Sequence, residues 1–234
     1  LFTDELISID RKLDVMVGSA GGILSLLALY RKTNSQEVLN RAIRCGDHLL
    51  SMPRVGKPGY QSWVSFGLGK DPIIGMSHGA AGFAYALSAL AEASGKKEFA
   101  AAAMECLAFE DDNYNSEEQY WPDLRKGLND EPVLCSWCHG ATGIGLARLG
   151  SLRFGFNRED LHEDIQRAIS YATKNWPIRR DSLCCGSLGL IEFLSEAGIL
   201  LENAKIKSLA ENRLLDVIAV RKRNGDYDWQ VDGS

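Results

Sequence analysis

Four glycine pairs with the spacing Gly-x-x-Gly occur along the chain, and each pair leads directly into a run of apolar residues. The pairs begin at Gly18, Gly79, Gly140 and Gly186, so the intervals between them are 61, 61 and 46 residues. Recurrence at such a period is typical of helical repeat proteins, in which each supersecondary unit stacks on the next. The glycine pairs therefore predict a repetitive, all-α architecture.

Two kinds of helix are predicted within each repeat. The segments that follow the glycine pairs are apolar nearly all round, which is typical of helices enclosed by protein. The segments between them are amphipathic and favour outer helices: Gln36 to Met52, Lys97 to Phe109, Arg158 to Asn175 and Glu202 to Val220. We expect a solenoid of inner and outer helices, or a solenoid closed into a toroid. No segment has the pattern of a sheet, and Pro53 to Gly59 is interpreted as a loop.

Composition excludes several classes of function. Of the 234 residues, 45% are hydrophobic and 24% are charged, and the formal net charge is −5. A nucleic-acid-binding surface needs clustered Lys and Arg, which this chain lacks. No apolar stretch reaches the roughly 18 to 20 residues that span a bilayer, and the first residues lack the basic region and apolar core that are typical of a signal peptide. We expect one cytoplasmic domain over residues 1–234, in which six cysteines favour metal binding, catalysis or burial over a disulfide framework.

The two positions before each glycine pair carry most of the chemically reactive groups. They are Met16-Val17, Ser77-His78, Cys138-His139 and Cys184-Cys185. Equivalent positions of neighbouring repeats lie at the same end of a stacked array, whatever their separation along the chain. These side chains are therefore expected to meet on one rim.

Three of these residues, Cys138, Cys184 and Cys185, are candidate ligands of a zinc ion whose fourth position stays open for substrate. Their spacing lacks the paired Cys-x-x-Cys pattern of zinc ribbons, so buried or redox-active cysteines are an equal alternative at this point. A thiol bound to zinc loses its proton. Three thiolate ligands already exceed the charge of the ion, which favours an electron-rich sulfur nucleophile and hence thiol alkylation over hydrolysis.

Three further residues are candidates for supporting roles. His78 is suited to exchanging a proton near neutral pH, although a cap on the following helix is an equal alternative. Asp14 lies four residues before Gly18, where helix capping is the simpler interpretation. His139 is a candidate for orienting its neighbour Cys138.

Taken together, the motifs resemble the lanthionine synthetase C-like cyclases, and most closely the cyclase domain of the two-function class II lanthipeptide synthetases. The matching segments are Asp14-Val-Met-Val-Gly18-Ser-Ala-Gly21, Ser77-His78-Gly79-Ala-Ala-Gly82, Trp121-Pro122-Asp123-Leu124-Arg125, Ser136-Trp137-Cys138-His139-Gly140 and Cys184-Cys185-Gly186-Ser-Leu-Gly189. The resemblance implies an α/α toroid of seven inner and seven outer helices with zinc at one mouth.

The same resemblance implies the reaction and the roles of the residues. Zinc held by Cys138, Cys184 and Cys185 would activate a precursor-peptide cysteine, which adds to dehydroalanine or dehydrobutyrine to form a lanthionine or methyllanthionine ring. His78 would be the general acid/base, supported by Asp14. Many relatives have histidine where this chain has Cys185, so the ligand set is of the all-cysteine variety.

Other expectations follow from what the chain lacks relative to the family. Only four glycine-led helices are present, so we expect an incomplete part of the ring, and a dehydratase, normally fused or associated, is expected to supply the dehydrated peptide. Stand-alone cyclases often have arginine at the position of Leu134. Two alternatives remain: a protein that adds glutathione or another small thiol to dehydrated proteins, and a non-catalytic helical zinc scaffold.

Overall fold

A computed structural model describes residues 2–65, 67, 69–125, 135–156, 159–176 and 180–228 of the chain. The described helices are α1 (Asp4–Ile9), α2 (Ser19–Thr33), α3 (Gln36–Ser51), α4 (Ala80–Ser94), α5 (Lys97–Asp112), α6 (Ala141–Arg153), α7 (Glu159–Lys174), α8 (Ser187–Leu200) and α9 (Ala204–Asn224). Two short strands, β1 (Val55–Lys57) and β2 (Tyr60–Ser62), lie between α3 and α4. Leu134 and Arg158 lie outside the described residues.

The helices form the predicted double layer. The inner helices α2, α4, α6 and α8 pack side by side in chain order, and the outer helices α3, α5, α7 and α9 each pack on the inner helix that precedes them. The outer helix α3 buries one face, formed by Leu39, Ala42, Gly46 and Leu49, whose spacing of three and four residues matches the helical repeat. The all-α prediction, with alternating inner and outer helices, is confirmed.

The glycine pairs mark the turn into each inner helix. The first glycine of each pair is the N-terminal cap of its helix. A Cβ at the second glycine would collide with the backbone carbonyl of the residue six positions earlier, in the same way in every repeat: Gly21 with Val15, Gly82 with Met76, Gly143 with Trp137 and Gly189 with Leu183. Each turn therefore folds back tightly onto the start of its helix, which explains the recurrence of the pair.

The expectation that the chain contains no sheet is wrong. Val55–Lys57 and Tyr60–Ser62 pair in antiparallel fashion, with Lys57 opposite Tyr60. Pro58 and Gly59 form the two-residue turn, and Gly59 has a φ of +83°, a left-handed value that glycine adopts without steric cost. Strands of three residues are too short to produce a visible alternation of polar and apolar residues, so only the turn was recognised.

Among the described helices, none combines the length and the apolar character needed to cross a membrane.

Candidate functional site

The turns before three neighbouring inner helices are hydrogen-bonded to one another. The amide N and the Oγ of Ser77 each donate to the carbonyl oxygen of Cys138 over 3.3 Å. The amide N of Trp137 donates to the carbonyl oxygen of Cys184 over 2.9 Å. Turns that are distant in sequence are thus joined in series at one end of the inner layer, and their side chains share one rim.

Three cysteine sulfurs meet on this rim. The Sγ atoms of Cys138, Cys184 and Cys185 all lie within 4.8 Å of one another. Cys185 Sγ is 3.9 Å from Cys138 Sγ and 3.2 Å from Cys184 Sγ. Two sulfurs bound to one tetrahedral zinc at about 2.3 Å are separated by about 3.8 Å, so the set is close to the size that a single ion needs. The cluster is thus able to bind a metal.

Two of these sulfurs are also bonded to each other. Cys138 and Cys184 form a disulfide, whereas Cys185 is a free thiol. The disulfide was not expected, since the sequence favoured metal binding, catalysis or burial for the cysteines. Its physical basis is simple: sulfurs that are near enough to share a metal ion are also near enough to form a disulfide when they are oxidised. A metal requires both as thiolates, so only the reduced form of the cluster can bind one.

His78 and Asp14 form a pair on the same rim. Nδ1 of His78 lies 2.8 Å from Oδ2 of Asp14, and the aspartate side chain is only 3% exposed. An ionised carboxylate can only accept, so Nδ1 donates and Nε2 is left for other partners. The other carboxylate oxygen of Asp14 accepts from the amide of Val17 over 2.9 Å. Helix α4 is capped by Gly79 without a side-chain hydrogen bond, so His78 does not cap it.

His139 lies beside this pair. Its ring stacks on that of His78 with 6.0 Å between centroids. Burial lowers the pKa of His139 to about 4, and Arg125 contributes in the same direction, so the ring is neutral at pH 7. Within the described residues, the cluster of side chains close enough to share one metal ion contains three cysteines and neither a histidine nor a carboxylate.

A cavity of about 640 Å³ lies next to the cysteine cluster. Its wall is mainly apolar and includes Val15, Leu24, Met76, Trp137 and Leu183, and it reaches Cys184. Such a volume falls within the range of small-ligand sites and is large enough for several peptide side chains. The cavity therefore offers an apolar surface beside the reactive sulfurs.

Two of the remaining cysteines lie in the hydrophobic core formed with the outer helices. Cys45 and Cys106 are fully buried in the outer helices α3 and α5. Burial raises the pKa of Cys45 to about 11 and that of Cys106 to about 12, which keeps both protonated and unreactive.

Sequence reasoning missed one residue that contacts the site turns. Glu110, at the end of α5, is fully buried and accepts hydrogen bonds from the turn that carries His78. Its partner Arg148 is also fully buried. The sequence signal was Arg148 itself, an arginine in the middle of the mainly apolar segment that becomes α6, because a buried guanidinium needs a buried acid.

A double layer of helices, with a three-cysteine cluster and a histidine–aspartate pair on one rim of the inner layer, defines an α/α toroid with a candidate metal centre. The sequence model described as lanthionine synthetase C-like protein matches residues 2–228. The chain belongs to this family.

One solved structure with the same fold is that of a nisin cyclase. It superposes with a TM-score of 0.69 and 19% sequence identity over 95% of this chain. The match covers 58% of the nisin cyclase chain, so the present chain spans less than two thirds of that protein. A comparison with curated protein sequences gave no match.

Proposed function

We propose that residues 1–234 form part of the cyclase domain of a lanthipeptide synthetase. It adds cysteine thiols of a dehydrated precursor peptide to dehydroalanine or dehydrobutyrine, forming lanthionine or methyllanthionine rings. The observation that carries this proposal is the convergence of three cysteine sulfurs and the His78–Asp14 pair on one rim. Family membership supports the same reaction.

The reduced side chains of Cys138, Cys184 and Cys185 are proposed to hold Zn²⁺. Zinc bound there would supply a substrate thiolate at neutral pH by lowering the pKa of the coordinated thiol. The donor set is consistent with this assignment, because thiolates are soft ligands and zinc sites with open positions commonly have three protein ligands.

The histidine–aspartate pair is proposed to transfer the proton that the addition reaction requires. When the thiolate sulfur bonds to the β-carbon of the dehydro residue, the π electron pair moves onto the carbonyl and forms an enolate. The α-carbon then takes up a proton, and the mass of the peptide is unchanged because the thiol lost one. With Nδ1 of His78 engaged by Asp14, Nε2 is the nitrogen that exchanges this proton.

One other feature of the chain supports a peptide substrate. The apolar cavity beside Cys184 offers a surface on which residues next to the reacting cysteine can pack. A dehydratase acting earlier on the same peptide is the proposed partner, because the dehydro residues must be formed before they can be attacked.

The experiment incubates reduced, zinc-loaded protein with a dehydrated peptide that contains one cysteine. We expect loss of the free thiol without change of mass, abolition by a chelator, and restoration by zinc. Cys138→Ala should abolish the reaction, whereas Cys45→Ala, which removes a buried thiol of the outer helix α3 that is not part of the cysteine cluster, should retain it.

Two further arms separate the alternatives. Glutathione with a dehydrated peptide that lacks cysteine tests for small-thiol addition, and its rapid consumption would favour that activity. Metal analysis of the reduced protein tests the scaffold interpretation. Zinc binding accompanied by thiol loss at only the uncatalysed rate would refute the proposed enzyme.

A further inference from the structure

The carboxylate of Glu110 bridges the outer layer to the turn that carries His78. One oxygen, Oε1, accepts from the amides of Gly75 and Ala81, both over 2.9 Å. Gly75 begins this turn and Ala81 lies in the first turn of α4, so the two amides flank His78 on both sides. A single oxygen therefore fixes the two ends of the segment.

This contact also replaces a missing helix cap. Helix α4 begins after Gly79, which has no side chain with which to bond the free amides of the first turn. A carboxylate at a helix N-terminus is favoured by the helix dipole and by hydrogen bonds to these amides. The cap of an inner helix thus comes from the neighbouring outer helix.

The second oxygen of Glu110 is held from the opposite side. Arg148, on the inner helix α6, donates to Oε2 over 2.7 Å, and it also donates to Asp111 over 2.8 Å and to Asp164 over 3.0 Å. Glu110 and Arg148 are fully buried, and Asp164 is almost so. Because Arg148 already has two other acids, Glu110 is not needed merely to compensate its charge.

Movement of the Glu110-bound turn would reach the cysteine cluster as well. Gly75 has a φ of +103°, and a Cβ there would collide with the carbonyl oxygen of Cys138. Ser77 donates to that same carbonyl. The backbone of Cys138 and the backbone before His78 are therefore in direct contact, and a shift of one displaces the other.

We propose that Glu110 is a positioning residue for the reaction, holding the His78 turn in register with Asp14 and with the turn of Cys138. This inference rests on the proposed function for its kinetic consequences. The expected effect of Glu110 on the position of His78 does not depend on that function, because the hydrogen bond between His78 and Asp14 can be observed without substrate.

The experiment compares Glu110→Gln with Asp164→Asn. Both variants remove one buried carboxylate from Arg148, so both weaken the same ion-pair cluster. Only Glu110 touches the His78 turn. Two quantities are measured: kcat and KM for thiol loss, and the ring-nitrogen NMR signals of His78, assigned with a His78→Gln variant among the four histidines.

In the wild type, the signals should report a proton on Nδ1, since Asp14 accepts from it. In Glu110→Gln we expect this signature to weaken and kcat to fall by about 10- to 100-fold with KM little changed, because small misplacements of a catalytic group have such effects. Asp164→Asn should retain both the signature and kcat. Should Glu110→Gln not fold, Glu110→Asp keeps the charge but shortens the reach to the two amides, and the same result is expected.

An unchanged His78 signature in the Glu110 variants would overturn the proposal, as would equal losses of kcat in the Glu110 and Asp164 variants. Failure of the proposed function gives a different result. In that case the wild type consumes no thiol, yet the His78 signature still changes in Glu110→Gln and not in Asp164→Asn, which upholds the positioning role.

Discussion

Nδ1 of His78 lies 2.8 Å from Oδ2 of Asp14, although the two residues are 64 positions apart in the sequence and belong to different repeats. The contact exists because the turns before α2 and α4 lie side by side. Asp14 is oriented by its own turn, in which its other oxygen accepts from the amide of Val17. The orientation of the carboxylate is therefore set by its own turn and not by His78. Because it accepts from Nδ1, it determines which ring nitrogen of His78 carries the proton.

Replacing Asp14 by asparagine should lower kcat for thiol loss by about 100-fold or more, the range attributed to general acid–base groups. The amide keeps the size of the side chain but removes the charge, so it no longer enforces the tautomer in which Nε2 of His78 is available. The measurement is the initial rate of cyclisation at saturating peptide.

Asp164→Asn is a suitable control for this variant, because Asp164 is also buried but lies on the outer helix α7, away from the rim. Its rate should stay close to that of the wild type. A rate for Asp14→Asn equal to that of the control would mean that Asp14 serves only to shape its turn.

Gly82→Ala should destabilise the fold by about 3 kcal/mol, the upper end of the typical cost of overpacking. The new Cβ would collide with the carbonyl oxygen of Met76 and would also press on the side chain of Val15. A backbone carbonyl cannot move aside without displacing the turn that leads to His78. Denaturant unfolding of the reduced protein measures the loss.

Gly95→Ala, at the other end of the same helix, provides the comparison. Gly95 has a φ of +71°, and a Cβ added there would meet no atom within 4 Å, so only backbone strain opposes alanine at this position. A cost of about 1–2 kcal/mol is expected. If both variants lose the same amount, crowding is not the reason for the glycine pair.

The repeat explains why much of the fold was predictable. Glycine pairs with apolar segments after them predicted the inner helices, and equivalence of the turns predicted that Cys138, Cys184 and Cys185 meet. Both inferences depend on a pattern that recurs along the chain. They required no knowledge of individual contacts.

Contacts that occur only once left no such pattern. Glu110 reaches a turn 35 residues earlier in the chain, and its partner Arg148 comes from another repeat. In the sequence, Glu110 is one acid among several at the end of an amphipathic helix, where a solvent-exposed position is the usual interpretation. Neither the disulfide state of Cys138 nor the short hairpin could be predicted, because the first depends on redox conditions and the second on three-residue strands.

The acids around Arg148 should give the stability of the protein a particular pH dependence. Asp111 of α5 shares this buried site with Glu110 on its own helix, with Arg148 of α6, and with Asp164 and Arg167 of α7. Burial raises the pKa of Asp111 to about 6 despite the attraction of Arg148, with Asp164 and Glu110 acting in the same direction as burial.

Between about pH 4 and about pH 6, the folded protein therefore retains a proton on Asp111 that the unfolded chain has released. Proton uptake by the folded state means that the contribution of Asp111 to the free energy of unfolding falls as the pH rises through this interval. Asp111→Asn removes the titration, so the stability of the variant relative to the wild type should increase from pH 4 to pH 7, by about 1–3 kcal/mol.

Urea unfolding of both proteins across this interval measures the difference. A relative stability of Asp111→Asn that decreases with rising pH would show the opposite balance, in which attraction to Arg148 outweighs the cost of burying the third acid. The sign of the slope therefore decides between two cases. In the first, Arg148 stabilises the negative charge of all three neighbouring acids; in the second, one of these acids is more stable when it is protonated. In the second case, Glu110 is able to remain bound to the His78 turn while a neighbouring acid holds the extra proton.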